Sequence, residues 1–287
     1  MANQIDWSKW RCRCSSISKI MANSRDNPPL TEKQEQELKK LEEKTTRTPS
    51  QELRITELVL KRENSKDVVL SDTCIQYLTE AYAWEVFQKF NVTKELDIEY
   101  MQKGREVEDE SIELLSFVRD RPYSKNEDRI ENDFLSGHPD VFSGEQLKGA
   151  SYITDMKNCW SLPGFLYKIH KGLDDGYSDQ VGGYGDICEC GNLSVTYALV
   201  NTPESIRNGY KFRLASKLNL IDVDHTQQWK QIESSMIFDG DIPHYQRIYE
   251  IPIEPFTKDY QSKIYDRVKH ARDWLNNFHE LYLKLNQ

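Results

Sequence analysis

Along the first hundred residues apolar positions are sparse and fall at helical spacing. Ile75, Leu78, Tyr82 and Val86 repeat every three or four residues behind Ser71-Asp72, a pair suited to cap a helix. Thr31 is a good N-cap for a polar helix running to Lys44, residues 51–63 predict another helix, and Asn27-Pro28-Pro29 closes the segment before both. Residues 97–120, rich in carboxylates, predict a further long helix. Then the pattern shortens. Residues 129–135 and 151–157 predict strands, separated by a turn-prone stretch containing Gly137, Pro139, Ser143, Gly144 and Gly149. A glycine-interrupted helix is expected over 174–186, and strands over 194–200 and 246–253. The chain closes with an amphipathic helix over 258–285, carrying Tyr265, Val268, Ala271, Trp274, Leu275 and Phe278.

This mixture predicts an α/β (α+β) fold, a central mixed sheet flanked by helices. No stretch is long or polar enough to force a boundary, so the 287 residues are expected to form a single domain. Residues 1–95 would be a mainly helical N-terminal region, 96–253 the core, and 254–287 the C-terminal helix. No run approaches the roughly 18 apolar residues of a membrane helix, and the N-terminus lacks the apolar stretch of a secretory signal. A cytoplasmic protein is the expectation.

The formal charge of −9 argues against diffuse attraction to nucleic acid. Local charge differs. Lys9, Arg11, Arg13, Lys19 and Arg25 face only Asp6 within the first 25 residues. Six cysteines include two C-x-C pairs, Cys12/Cys14 and Cys188/Cys190. Zinc ligands are usually spaced C-x₂₋₄-C, so reduced thiols are the plainer reading and a metal or cluster the other.

The chemistry concentrates between Gly104 and Tyr184. On a strand, residues i and i+2 share a face, so Asp155 and Lys157 would project together while the Met156 side chain points into the core. Asp140 follows the turn His138-Pro139, and Glu108 sits on the preceding helix. Carboxylates at such a place, with the Met156 carbonyl, suit Mg²⁺, which takes oxygen ligands. A neighbouring lysine can stabilise charge developing on a phosphate. Taken singly, a D-x-K triplet is more often solvated surface charge and a G-x-P-D more often a plain turn. Their order along the chain is what carries weight.

That ordered series resembles the PD-(D/E)xK nucleases, and within them the viral recombination exonucleases. Gly104-Arg-Glu-Val-Glu108 is similar to the family's G-x-x-x-E helix, His138-Pro139-Asp140 to its S-P-D element and Asp155-Met156-Lys157 to its E-x-K element. Tyr177-Ser-Asp-Gln180-Val181 resembles its Y-x-x-Q-V helix, and Arg11, Arg13, Ser15 and Ser16 its segment that grips a DNA end. Three departures stand out: aspartate at 155, Asn158-Cys159 in place of Cys-Pro, and Gly182 where a second Gln is frequent.

The resemblance implies a restriction-endonuclease-like core and a Mg²⁺-dependent exonuclease, with Mn²⁺ able to substitute. Glu108, Asp140, Asp155, Lys157 and Gln180 would be catalytic, and Glu108, Asp140, Asp155 and Met156 would ligate metal. Arg11, Arg13, Ser15, Ser16 and Tyr184 would meet substrate. It further implies duplex DNA ends as substrate, 5′-to-3′ resection for phage-type recombination, a single-strand annealing partner and a ring-like homo-oligomer. Two other readings stay open: an iron–sulfur nuclease of the CRISPR-adaptation type, and an inactive DNA-binding protein that retains the fold. His138 and His170 read as structural or solvated.

Overall fold

The computed structural model describes residues 5–23, 29–44, 46–64, 69–90, 99–174 and 176–285. Arg25, the break at Asn27-Pro28, the first two residues of the helix expected from 97, and Asp175 lie outside them.

The chain divides into two compact units. One comprises Met1–Trp10, Ser18–Phe90 and Ser262–Gln287. In it Thr31 starts α1 (Glu32–Glu42) with a reciprocal cap: its hydroxyl accepts from Gln34 N at 3.3 Å, and Gln34 Oε1 accepts from Thr31 N at 3.1 Å. Helix α2 spans Pro49–Asn64. Ser71 caps α3 (Asp72–Phe87) by accepting from Cys74 N at 3.2 Å. The buried row of α3 is Cys74, Leu78 and Tyr82, with Ile75 and Val86 half-buried beside it. Trp7 stacks on Tyr82 at 5.4 Å between ring centroids, and the Tyr82 hydroxyl lies 2.9 Å from His279 Nδ1.

The other unit comprises Arg11–Ile17 and Asn91–Gln261. It opens with the short strand β1 (Cys12–Arg13). The helix expected up to 120 is two helices, α4 (Glu99–Glu106) and α5 (Glu108–Val118). The backbone leaves helical geometry at Val107, whose side chain is buried against Leu114 and Val200. The strand expected over 129–135 is likewise two, β2 (Ile130–Glu131) and β3 (Leu135–Gly137). Between them Asn132 Oδ1 accepts from Phe134 N at 2.9 Å and Leu135 N at 2.8 Å, a local bond set that turns the chain and ends the ladder. β3 lies between β1, parallel to it, and β2, antiparallel.

The turn-rich stretch holds a strand that its composition hid, β4 (Val141–Ser143). Next come β5 (Tyr152–Asn158), α6 (Leu162–Lys171), α7 (Tyr177–Cys188), β6 (Leu193–Ala198), α8 (Glu204–Leu218), α9 (Gln227–Ser234) and β7 (Ile248–Ile253). The order β4-β5-β6-β7 is a mixed sheet, antiparallel at both edges and parallel between β5 and β6. The expected mixed sheet flanked by helices is therefore present, with the smaller three-stranded sheet in addition. Met156 packs on one face of β5 with Ile112 and Leu115 of α5. The alternating residues Asp155 and Lys157 turn to the opposite face, toward α7. The last helix, α10 (Lys258–Lys284), belongs from Ser262 onward to the first unit and buries Ile264, Val268, Ala271 and Leu275. Among the described residues no helix is long and apolar enough to cross a membrane.

Candidate active site

Asp155 is 1% exposed, and each of its oxygens has a distinct neighbour. Oδ1 accepts from Gln180 Nε2 at 3.0 Å. Oδ2 is ion-paired with the Lys157 ammonium, its charged neighbour at this end of the carboxylate. The Lys157 ammonium also lies 4.8 Å from the centroid of the Tyr177 ring. Burial works to lower the Lys157 pKa. The attraction of Asp155 outweighs it, and the pKa stands above the ordinary value.

Asp140 immediately precedes β4 and is held there through Asn126. The Asn126 side-chain amide donates to Pro139 O and its backbone N to Asp140 O, both at 2.8 Å. Asp140 Oδ2 accepts from Met156 N at 2.7 Å, which fixes its carboxylate against the strand bearing Asp155. Burial first, then the Asp155 carboxylate, push the Asp140 pKa up to about 8. The Lys157 charge and the hydrogen bond from Met156 N work in the other direction.

Gln180 lies in the first turn of α7, and its Nε2 also donates to the hydroxyl of Tyr184 at 2.9 Å. Tyr184 is buried; burial, then the Asp155 charge, raise its pKa above the ordinary tyrosine value. The structure thus brings together Asp140, Asp155, Lys157, Gln180 and Tyr184. Glu108 is near enough to raise the Asp140 pKa, yet its carboxylate meets Lys125 Nζ at 3.0 Å. Met156 contributes its backbone N to Asp140 and its side chain to the core.

The N-terminal Arg/Ser segment packs against α7: a Cβ on Gly183 would meet Ile17 Cδ1 at 2.6 Å and Cys14 Sγ at 3.0 Å. Arg11 is engaged, its Nε donating to Asn132 O at 2.7 Å and its guanidinium 3.3 Å from Glu131. Arg13 and Ser15 are exposed, and Ser16 is buried. His138 is exposed with Nε2 3.0 Å from Asn126 O, and His170 is exposed as well. At Gly182, a Cβ would meet the Phe256 ring at 2.3 Å, so a side chain there requires that ring to move.

All six cysteines are free and buried. Burial raises the thiol pKa of Cys14, and that of Cys188 to about 12. Among the described residues no three of His, Cys, Asp or Glu are grouped to hold a metal ion, so neither the two C-x-C pairs nor Glu108 with Asp140 and Asp155 makes such a group. Sequence reasoning missed Asn126 and Lys103, and marked Asn158 only as a departure from Cys-Pro. Asn126 carries no local signature, and Lys103 looks like one more solvated charge in a charged stretch.

No protein-family model and no curated protein matches the sequence. Among solved structures, the chain is similar to a phage-related exonuclease from Haemophilus somnus 129PT: 21% identity, TM-score 0.61, covering 96% of this chain and 97% of that one. It is also similar to an alkaline exonuclease from Laribacter hongkongensis: 11% identity, TM-score 0.52, covering 96% and 92%. At these identities the likeness is one of fold. Over nearly its whole length, the chain has the fold of these exonucleases.

Proposed function

We propose that the chain is a Mg²⁺-dependent deoxyribonuclease, and specifically an exonuclease that resects linear duplex DNA from the 5′ end. The observation that carries the reading is the Asp140/Asp155 pair beside Lys157. Burial and then the Asp155 charge raise the pKa of Asp140, and the Lys157 ammonium is ion-paired with Asp155 at the same place.

These residues fit Mg²⁺, which is commonly held by one or two carboxylates plus waters and substrate phosphates. Asp140 and Asp155 would hold it, and Mn²⁺ would substitute. Glu108, paired with Lys125, would act at most through water. When bound, the ion supplies charge neutralisation at the phosphate and a water of lowered pKa. Lys157 remains protonated at neutral pH and can hold negative charge that develops on a phosphate oxygen. Gln180 holds one oxygen of Asp155 and the Met156 backbone N one oxygen of Asp140, which fixes the orientation of both carboxylates.

Exonuclease rather than general nuclease action is supported by the fold likeness and by the exposed Arg13 and Ser15 of the N-terminal segment, whose donors suit a terminal phosphate. Recombination as the setting, an annealing partner, a ring-like oligomer and a cytoplasmic location belong to the same reading. The test is cleavage of end-labelled linear and covalently closed circular duplex with Mg²⁺ or EDTA. Release of nucleotides from linear DNA with Mg²⁺ only is expected; equal cleavage in EDTA would overturn the proposal.

A further inference from the structure

Lys103 of α4 is 1% exposed, and a lysine amine taken so far from water needs partners. Its Nζ donates to Cys159 O at 3.2 Å and Trp160 O at 3.3 Å. The amine also lies 5.8 Å and 5.5 Å from the ring centroids of Trp160 and Phe238. Its hydrogen bonds therefore go to two consecutive carbonyls just past the end of β5. The residue before them is tied to the same helices: Asn158 Nδ2 donates to Gly104 O at 3.1 Å, and the Ser111 hydroxyl, whose one hydrogen is shared between Val107 O at 2.7 Å and Asn158 Oδ1, lies against that side-chain oxygen. Three successive residues after Lys157 are thus fastened by side-chain bonds to α4 and α5.

We propose that Lys103, with Asn158 and Ser111, is a clasp that fixes the exit of β5 and thereby positions Lys157 for phosphodiester cleavage. This rests on the nuclease reading above. Lys103 touches none of Asp140, Asp155 or Lys157, so it is a positioning residue. Lys157 follows the strand's pleat only as well as its C-terminal neighbours are held, and no proline stiffens this exit. Burial lowers the Lys103 pKa to about 8. The neutral amine still carries two N–H donors, enough for both carbonyls, so the clasp holds in either protonation state.

The test compares wild type, Lys103→Met and Asn158→Ala by backbone hydrogen exchange, and by kcat and KM on linear duplex with Mg²⁺. Both variants are expected to exchange faster at residues 157–161 but not in α1–α3. Their kcat should fall by about tenfold to 10²-fold with little change in KM. Asn158→Ala keeps the buried lysine, so it answers the question if Lys103→Met does not fold. The positioning role is overturned by wild-type kcat in folded variants, by a loss confined to KM, or by loosening spread over the whole chain. A wild type that leaves DNA intact overturns the nuclease reading and the positioning role together. An active wild type with unimpaired variants overturns the positioning role alone.

Discussion

Gln180 and Asp155 are joined side chain to side chain at 3.0 Å, and the Gln180 nitrogen that makes this bond also reaches Tyr184. An amide NH₂ has two hydrogens, and both are used. Gln180→Ala is therefore expected to free the Asp155 carboxylate to rotate and to lower turnover by about tenfold to 10²-fold. Tyr184→Phe leaves the Gln180–Asp155 bond in place and should have the smaller effect. Steady-state kinetics on both variants checks this; a larger loss in Tyr184→Phe would mean that the tyrosine meets substrate directly.

Lys157→Ala should leave the fold intact, because the ammonium contacts Asp155 and the Tyr177 ring rather than the apolar core. Removal of one electrostatic stabiliser costs about 10² to 10³ in rate. Asp155→Asn should act through weaker Mg²⁺ affinity, so part of its loss returns at high Mg²⁺ while that of Lys157→Ala does not. A titration of rate against Mg²⁺ separates them, and near-normal activity in Lys157→Ala would remove Lys157 from the site.

Lys103 makes stability depend on alkaline pH. Its pKa is about 8 in the folded chain against an ordinary 10.5, the lowering due to burial. Below pH 8 the amine is charged in both states, and its contribution is constant. Between pH 8 and 10.5 the unfolded chain binds the extra proton, so stability rises with pH by at most about 1.4 kcal/mol per unit. Wild type measured against Lys103→Met should gain urea resistance across that window and show no trend between pH 6 and 8. A gain that begins at neutral pH would place the amine elsewhere.

At the N-terminal segment the two arginines should behave differently. Arg11 is already bonded to Asn132 O and Glu131, while Arg13 is exposed. Linear duplex with a 5′-phosphate should be degraded faster than duplex with a 5′-hydroxyl, and Arg13→Ala should erase the preference. Arg11→Ala should mainly loosen the turn at Asn132. If Arg13→Ala instead slows both substrates alike and flattens the salt dependence, Arg13 supplies only diffuse attraction.

What could be read from sequence was what local chemistry fixes. The Thr31 and Ser71 caps lie within three residues of what they bond, and the pairing of Asp155 with Lys157 on one face follows from the pleat alone. No element is expected where helix α6 lies, since Pro163 and Gly164 are residues that ordinarily interrupt a helix. In the structure Ser161 caps that helix and Pro163 occupies its first turn, where a missing N–H costs nothing. Helix α8 buries only Ile206, too little to give an amphipathic pattern. The contact of Asp140 with Met156 N spans 16 residues through a strand disguised by serine and glycine. Whether Lys103 is solvated or buried is decided by Trp160 and Phe238, residues far from it in the chain.

The near-contact between Gly182 and Phe256 has a consequence for how this chain can vary. A helix-interior glycine costs about 1 kcal/mol relative to alanine, yet even one methyl at 182 would strike the ring at 2.3 Å. The two positions are thus coupled: a glutamine at 182 displaces the Phe256 ring from where it stands, and is accommodated best beside something smaller than phenylalanine at 256. Homologues should swap both together or neither. A chain engineered with glutamine at 182 alone should fold poorly until position 256 is cut back to alanine.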